Sequence, residues 1–488
     1  MTREAVRSMD RRTFLRRGAV LSGAVITARG AYASLEEFAA PARAHAATPA
    51  RRQEQYLIDS LEVILDNGVP VAIPPVYNDV FTARLSPDRS WNKAALIDAQ
   101  RRLEAALQLV EKPYPATAAG LTIVVAWGLP YFRQFVPGPW QAKGPRDTLL
   151  PKVDGQYQHA VLDAIRFPSD PDVLVLEDNH VAFKIRSDSA SIVRSVESQL
   201  FGDPASRAYV GDLLQLTSKR IGFAGRGFGT TSAAKTLALQ AGVPGAGSIP
   251  DRAQLTMGFT STQPDALGPD NIPSFETLKG VTDQFASGYF AHGCAMHLSH
   301  LYLDLDRWYG KSYADRVARM FTPRTSVPAA STVTIPNGPA QVSSLQQVKD
   351  DAAAGNAGHN SLLQTATRLQ ADVTDNYGRL RKKGTAVPAR EDFNTLDAPF
   401  TWYLDANGVV QQPTANQAGL HFAVFVPSSS RFHVARNAMD GILPDGTDLR
   451  PQLAGADVGI NGIMSATHRQ NYLVPPRARR AFPLAELL

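Results

Sequence analysis

The pattern of apolar and polar positions predicts a first group of strands and helices between residues 121 and 223. Leu121–Trp127 has the composition of a buried strand, and residues 172–177 and 181–185 predict two strands joined by a tight turn at Asp178-Asn179. A helix at 189–200, preceded by Ser and Asp capping residues, and a strand at 214–223 follow. This order is typical of an antiparallel sheet with helices on one face.

A second group of similar size follows in the C-terminal part of the chain. It comprises a strand at 293–305, a helix at 306–320, a strand at 419–426 and a helix or loop at 435–442. The repetition predicts a duplicated α+β fold, with one half at 116–275 and the other at 276–488. Residues 47–115 are predicted to be a helical N-terminal extension, with helices at 55–66 and 91–110.

The N-terminus has the pattern of an export signal. Arg11 and Arg12 stand just before Phe14-Leu15, a mildly apolar stretch covers residues 18–28, and Ala44-His45-Ala46 fits a signal-cleavage site. We therefore expect residues 1–46 to be a twin-arginine signal peptide, cleaved near Ala46, that takes the chain to the cell envelope or outside the cell. Its partner would be the twin-arginine translocase. A basic disordered tail is the alternative.

Charge and composition narrow the function classes. Residues 1–46 contain eight arginines and four acidic residues, which is +4 of the formal net charge of +5. The remaining chain is nearly neutral, so the sequence predicts no nucleic-acid partner. The apolar stretch is too short for a permanent membrane anchor. The single cysteine, Cys294, excludes an internal disulfide framework.

Common catalytic motifs are missing from the sequence. Residues 225–231 are glycine-rich but lack the spacing of a dinucleotide loop and the lysine of a phosphate loop, so they predict a connector. No G-x-S-x-G, H-E-x-x-H or C-x-x-C motif occurs after residue 46. His297 and His300 point to opposite faces if their segment is a strand, although a loop would allow a copper site with His292.

The order of segments resembles the dye-decolorising peroxidases, which are heme proteins built from two ferredoxin-like halves. The resemblance covers roughly residues 117–480. It is carried by five segments: the strand at 121–128, Met257-Gly258-Phe259, the strand from Gly293 to Trp308, the strand 419–425, and the ending Asn471-Tyr472-Leu473-Val474-Pro475-Pro476. It implies a duplicated ferredoxin-like fold of the dimeric α/β-barrel type, with antiparallel sheets and helices packed outside.

The resemblance also implies a set of site residues. His359 lies in the interval where the family has its axial heme ligand, whose electron donation a neighbouring carboxylate would tune. Arg390, in Arg390-Glu391-Asp392-Phe393-Asn394, fits the setting of the family's distal arginine, with Arg379 and Arg381 as competitors. Three apolar residues would line the heme: Phe259, Leu420 and Phe422.

One position departs from the family's pattern. Ser261 stands where the resemblance would place a proton-shuttling aspartate, and a serine cannot act as a base near neutral pH. The resemblance therefore implies an exported heme b protein that reduces hydrogen peroxide slowly and oxidises an organic electron donor. The alternative is a non-enzymatic binding protein on the same scaffold, without peroxidase activity and without the need for heme. Assembly into a homo-oligomer is left open.

Overall fold

The computed structural model of the protein describes residues 31–32, 35, 51–59, 61–172, 174–224, 226–260, 271–330, 332–335, 343–396, 416–453 and 459–488. The strands are β1 Glu62–Asp66, β2 Val69–Ile73, β3 Tyr77–Leu85, β4 Thr122–Gly128, β5 Val175–Leu176, β6 Val181–Ser187, β7 Leu214–Phe223, β8 Cys294–Leu303, β9 Val373–Thr374, β10 Leu380–Arg381, β11 Ala389–Arg390, β12 Phe393–Thr395, β13 Gly419–Val426 and β14 Met464–Val474. The helices are α1 Lys93–Glu111, α2 Leu129–Phe135, α3 Pro137–Lys143, α4 Ala190–Glu197, α5 Ala233–Gln240, α6 Leu305–Tyr309, α7 Tyr313–Met320, α8 Leu345–Ala353, α9 His359–Thr367 and α10 Ser429–Met439.

The two halves of the chain have the same strand order. In the first half the antiparallel neighbours run β7-β3-β6-β4, and in the second half they run β14-β8-β13-β12. Numbered along the chain within each half, both orders are 4-1-3-2. Each half is therefore a ferredoxin-like unit, and the predicted duplicated α+β fold is confirmed.

The halves join edge to edge into a closed ring of strands. β14 pairs with β4 on one side, and on the other side the single pair Asn394–Phe223 joins β12 to β7. Alternate residues of the strands fill the inside of the ring with apolar side chains that include Val124, Met296 and Phe425. The opposite residues face the outer helices, as expected for side chains that alternate along a strand.

The N-terminal extension is where the predicted elements were wrong. The predicted helix at 55–66 is instead irregular up to β1, which forms a hairpin with β2 through Asn67-Gly68, both at positive φ. β3 is the first strand of the first half, because it pairs with both β6 and β7. The first half thus begins well before residue 116. The second predicted helix, at 91–110, corresponds to α1.

The hairpin predicted at Asp178-Asn179 is also absent from the described part of the chain. Only Val175–Leu176 is strand there, and it pairs in parallel with β14 rather than with β6. None of the described helices is both long enough and apolar enough to cross a bilayer.

A short described piece of the N-terminal segment packs into the folded chain. Ala31, Tyr32 and Leu35 belong to the main apolar core. The Tyr32 ring lies 6.0 Å from that of Phe223, and its hydroxyl accepts a hydrogen bond from the Leu396 amide. This contact lies beside the Asn394–Phe223 pair that closes the ring.

Candidate functional site

A cavity with a water-accessible volume of about 220 Å³ lies between the outer face of the strands of the second half and helices α9 and α10. Its sheet wall is mostly apolar and consists of Leu301 and Leu303 from β8, Leu420, Phe422 and Val424 from β13, and Ala466 from β14. Successive side chains of a strand point to opposite faces of the sheet. These residues occupy every second position, so they lie on the same face. His359 of α9 and Phe432 of α10 face the wall from the helix side.

The edge strand of this sheet supplies charged groups to the cavity. Arg390 pairs with Val424 and Phe393 with His421, so residues 390 and 392 share the cavity face while Glu391 points into the ring. The carboxylate of Glu391 lies 3.1 Å from Lys184 Nζ and 2.5 Å from Arg186, and all three side chains are fully buried. This ion cluster anchors the strand from inside the ring.

His359 is the first residue of helix α9. The preceding Gly358 lies so close to the Phe321 carbonyl that a Cβ atom would be 2.3 Å from its oxygen, which fixes the start of the helix. Burial, with smaller contributions from Arg390 and Arg436, lowers the pKa of His359 to about 3. The imidazole is therefore neutral at physiological pH, the form that binds a metal ion.

The carboxylate expected to tune His359 is not found in the described part of the chain. No hydrogen bond joins the imidazole to a described Asp or Glu, and the charged groups that shift its pKa are both arginines. A histidine without such a partner is a weaker electron donor to a bound metal.

Five arginines line the cavity: Arg368, Arg390, Arg431, Arg436 and Arg469. Arg469 and Arg436 share Asp170, and the guanidinium of Arg368 donates to the Gly384 carbonyl at 2.7 Å. The Nε of Arg431 is buried without a hydrogen-bond partner among the described residues, as is the Nε of Arg469. Burial lowers the pKa of Arg431, against the opposing effect of Asp147.

Asp392 is the one acidic residue among the described residues that line the cavity. Its side chain is 8% exposed, and its Oδ2 lies 3.6 Å from Nε of Arg390. Its Oδ1 is buried and accepts no hydrogen bond within the described chain. Burial raises the pKa of Asp392, and the nearby cations Arg390 and Lys184 oppose this rise.

The comparisons with known proteins give a family and a group of similar structures. The profile of a family described as "family of unknown function (DUF7405)" matches residues 90–476. The chain belongs to that family. No functionally curated protein matches the chain in sequence.

The similar solved structures are dye-decolorising proteins and peroxidases. The dye-decolorizing protein from V. cholerae is 14% identical over 84% of this chain and 97% of its own, with a TM-score of 0.44. A DypB variant from Rhodococcus jostii RHA1 in complex with heme is 13% identical over 85% and 95%, with a TM-score of 0.46. The encapsulated DyP-type peroxidase from Mycobacterium smegmatis is 14% identical over 85% and 95%, with a TM-score of 0.44.

Most of the residues predicted from the sequence come together in the cavity. His359, Arg390, Phe259, Leu420 and Phe422 all line it. Ser261 lies outside the described residues.

The competing residues lie elsewhere. Arg381 is paired with the buried Asp375. His421 faces the ring interior, stacked on Phe393. His292 contacts Glu54 rather than the other histidines, and no cluster able to hold a metal ion occurs in the described ranges.

Asp392 and four arginines, Arg368, Arg431, Arg436 and Arg469, are the cavity residues that were not predicted from the sequence. The signal for Asp392 was available, because it stands two positions from Arg390 in a segment that pairs with a predicted strand. The α10 arginines, Arg431 and Arg436, lie five and ten residues after Val426, but only the packing of α10 over the sheet shows that they face the cavity.

Proposed function

We propose that the cavity binds heme b and that the protein reduces hydrogen peroxide while it oxidises an organic electron donor. The observation that carries this proposal is that a neutral histidine and several arginines lie next to one apolar wall of the same cavity. Heme is a flat, largely apolar molecule with carboxylates at its edge. The apolar wall would pack against the porphyrin plane, and the arginines would bind the carboxylates. The Nε of Arg431, which is buried and has no hydrogen-bond partner among the described residues, is a ready donor for one of them.

Three residues of the cavity would then have distinct roles in binding heme and peroxide. His359 would hold the iron through its neutral imidazole, and Arg431 would bind a propionate. The guanidinium of Arg390 would hold the anionic form of the peroxide. Bound heme supplies an iron that exchanges electrons with peroxide and with the donor.

A second candidate is a heme-binding protein without peroxidase activity. It is favoured by the absence, among the described residues, of a carboxylate on His359, since a histidine without that partner would donate less electron density to a bound iron. The two candidates share the ligand and differ in the reaction with peroxide.

Heme titration of the purified protein tests the shared part of both candidates. We expect the wild type to bind one equivalent with a Soret band, and His359→Ala to lose most of the bound heme or change its spectrum. His433→Ala and His468→Ala are matched controls and should bind like the wild type. An unchanged Soret spectrum at full occupancy in His359→Ala would assign the iron to another ligand. Rapid mixing of the heme-loaded wild type with hydrogen peroxide then separates the peroxidase from the binding protein.

We also propose export by the twin-arginine route with a destination at the cell envelope or outside the cell. The support is the residue pattern around Arg11 and Arg12. Export of a folded chain suits a protein that receives its cofactor before it leaves the cytoplasm.

A further inference from the structure

The cavity contains an acidic side chain, Asp392, whose position differs from that of the other carboxylates that pair with the cavity arginines. The carboxylates around the other cavity arginines lie behind them, as Asp170 lies behind Arg469 and Arg436. Asp392 instead lines the cavity itself, beside Arg390. A buried carboxylate oxygen without a hydrogen bond is costly, so its retention calls for a partner that arrives from the cavity.

We propose that Asp392 is the proton acceptor and donor of this cavity for small acids such as hydrogen peroxide, in place of the aspartate that the family resemblance would put at position 261. This inference rests on the proposed function, because it deepens the chemistry of the same site. Two features support it. The strand alternation puts Asp392 on the face of Arg390, and Glu391 is held on the other face by Lys184 and Arg186.

The proton transfer is balanced within the two side chains and the substrate. The O–H of hydrogen peroxide gives its proton to Oδ1 of ionised Asp392, which leaves a neutral carboxylic acid and a hydroperoxide anion. The guanidinium of Arg390 faces that anion and stabilises its charge. The same proton is then available for return from Asp392 to an oxygen of the bound molecule.

The surroundings of Asp392 set the pH at which it can act. Burial and the neighbouring Glu391 raise its pKa, whereas Arg390, Lys184 and the backbone N–H of Ala423 lower it. A general base performs best when its pKa approaches the working pH, so the net rise suits this role.

The first arm of the test uses the heme-free protein. Infrared difference spectra over a pH titration should show the carbonyl stretch of one protonated carboxyl group that persists above the ordinary range of aspartate. The band should be absent in Asp392→Asn. A wild-type titration with no such band, or an identical band in Asp392→Asn, would overturn the assignment of the proton to Asp392.

The second arm uses hydrogen cyanide, a weak acid that must lose its proton to bind iron as cyanide. With heme loaded, we expect Asp392→Asn to bind heme like the wild type but to bind cyanide about tenfold or more slowly, in line with the usual gain from acid–base catalysis. Asp392→Glu should recover part of the rate. Equal cyanide rates in the wild type and Asp392→Asn would overturn the inference and leave the heme proposal intact.

Failure of the wild type to bind heme at all would instead overturn the proposed function, and with it the role of Asp392 toward peroxide. The dependence of the wild-type cyanide rate on pH provides a check that needs no variant. We expect one ionisation at the pKa found by infrared spectroscopy, and a rate without that ionisation would contradict the proposal.

Discussion

The carboxylate of Glu391 has two buried cations as partners, so its removal should be costly. Glu391→Gln leaves Lys184 and Arg186 inside the ring without an anion, and we expect a loss of about 3–5 kcal/mol in the free energy of unfolding. Denaturant unfolding with Asp163→Asn as the control measures this, because the exposed Arg133–Asp163 pair should contribute less than about 1 kcal/mol. Similar values for the two variants would contradict the role of the buried cluster.

Arg431 should show opposite effects on stability and on ligand binding. Its Nε is buried without a hydrogen-bond partner among the described residues, which is unfavourable in the ligand-free protein, so Arg431→Met should raise the unfolding free energy by about 1 kcal/mol. The same change removes a charge-assisted bond to an anionic ligand and should weaken heme binding about tenfold. Thermal unfolding and heme titration measure both effects. Arg450→Met, at the exposed Asp448 pair, should change neither.

At the scale of elements, β3 makes the N-terminal region part of the first half. A chain that starts at residue 90 lacks the strand that lies between β6 and β7, and we expect it to lose cooperative unfolding and to aggregate through the two exposed edges. A chain that starts at residue 47 keeps β3 and should fold. Circular dichroism during heating distinguishes them, and a cooperative transition in the shorter chain would mean that β3 is dispensable.

Two long strands were predicted with the bounds that the structure has, 214–223 and 419–426. The second is a nearly continuous apolar run that ends at Pro427, a residue that cannot donate a backbone hydrogen bond to a neighbouring strand. The segment 55–66 failed because its apolar positions suit both a helix and a strand. The dipeptide Asn67-Gly68, which favours a two-residue hairpin, was the missed signal.

The position of His359 in the cavity could be predicted from the sequence, because only a histidine in that interval could serve as the expected ligand. The positions of residues that depend on packing between distant segments could not be predicted. The ion pair between Arg381 and Asp375 depends on contacts formed by the fold. The same holds for the position of α10 over the sheet, which brings Arg431 and Arg436 to the cavity. Local sequence patterns contain no direct record of such long-range contacts.

The whole molecule contains a group of buried histidines that should make it sensitive to acid. Burial lowers the pKa of His297, His300 and His421 well below the ordinary value. Below about pH 6.5 the unfolded chain binds protons that the folded chain excludes, so the stability present above that pH is lost as the pH falls.

The expected loss is about 1.4 kcal/mol per pH unit for each such histidine. Unfolding free energies between pH 7 and pH 5 measure it, above the range in which most carboxylates titrate. His421→Gln should reduce the slope by the share of one histidine. A flat profile in the wild type would show that these side chains are protonated in the folded protein.

Export concerns the whole chain as well. Changing both Arg11 and Arg12 to lysine should retain the precursor in the cytoplasm, because the translocase recognises the arginine pair. Fractionation and immunoblotting measure the distribution, and the single change Arg29→Lys is the matched control. Undiminished export of the double variant would contradict the twin-arginine assignment.

Side chains along each strand of the ring alternate between its inside and its outside, and this determines how the chain tolerates insertions and deletions. Between 390 and 392, the even positions face the cavity and the odd position faces the ring interior. Loss of one residue is mild in many loops. Here an in-frame deletion of Arg390 that keeps Ala389 in register would move each following residue back by one position, which places Glu391 in the cavity and Asp392 inside the ring. Reading-frame-preserving length changes should therefore be tolerated far less in this edge strand than single substitutions on its surface.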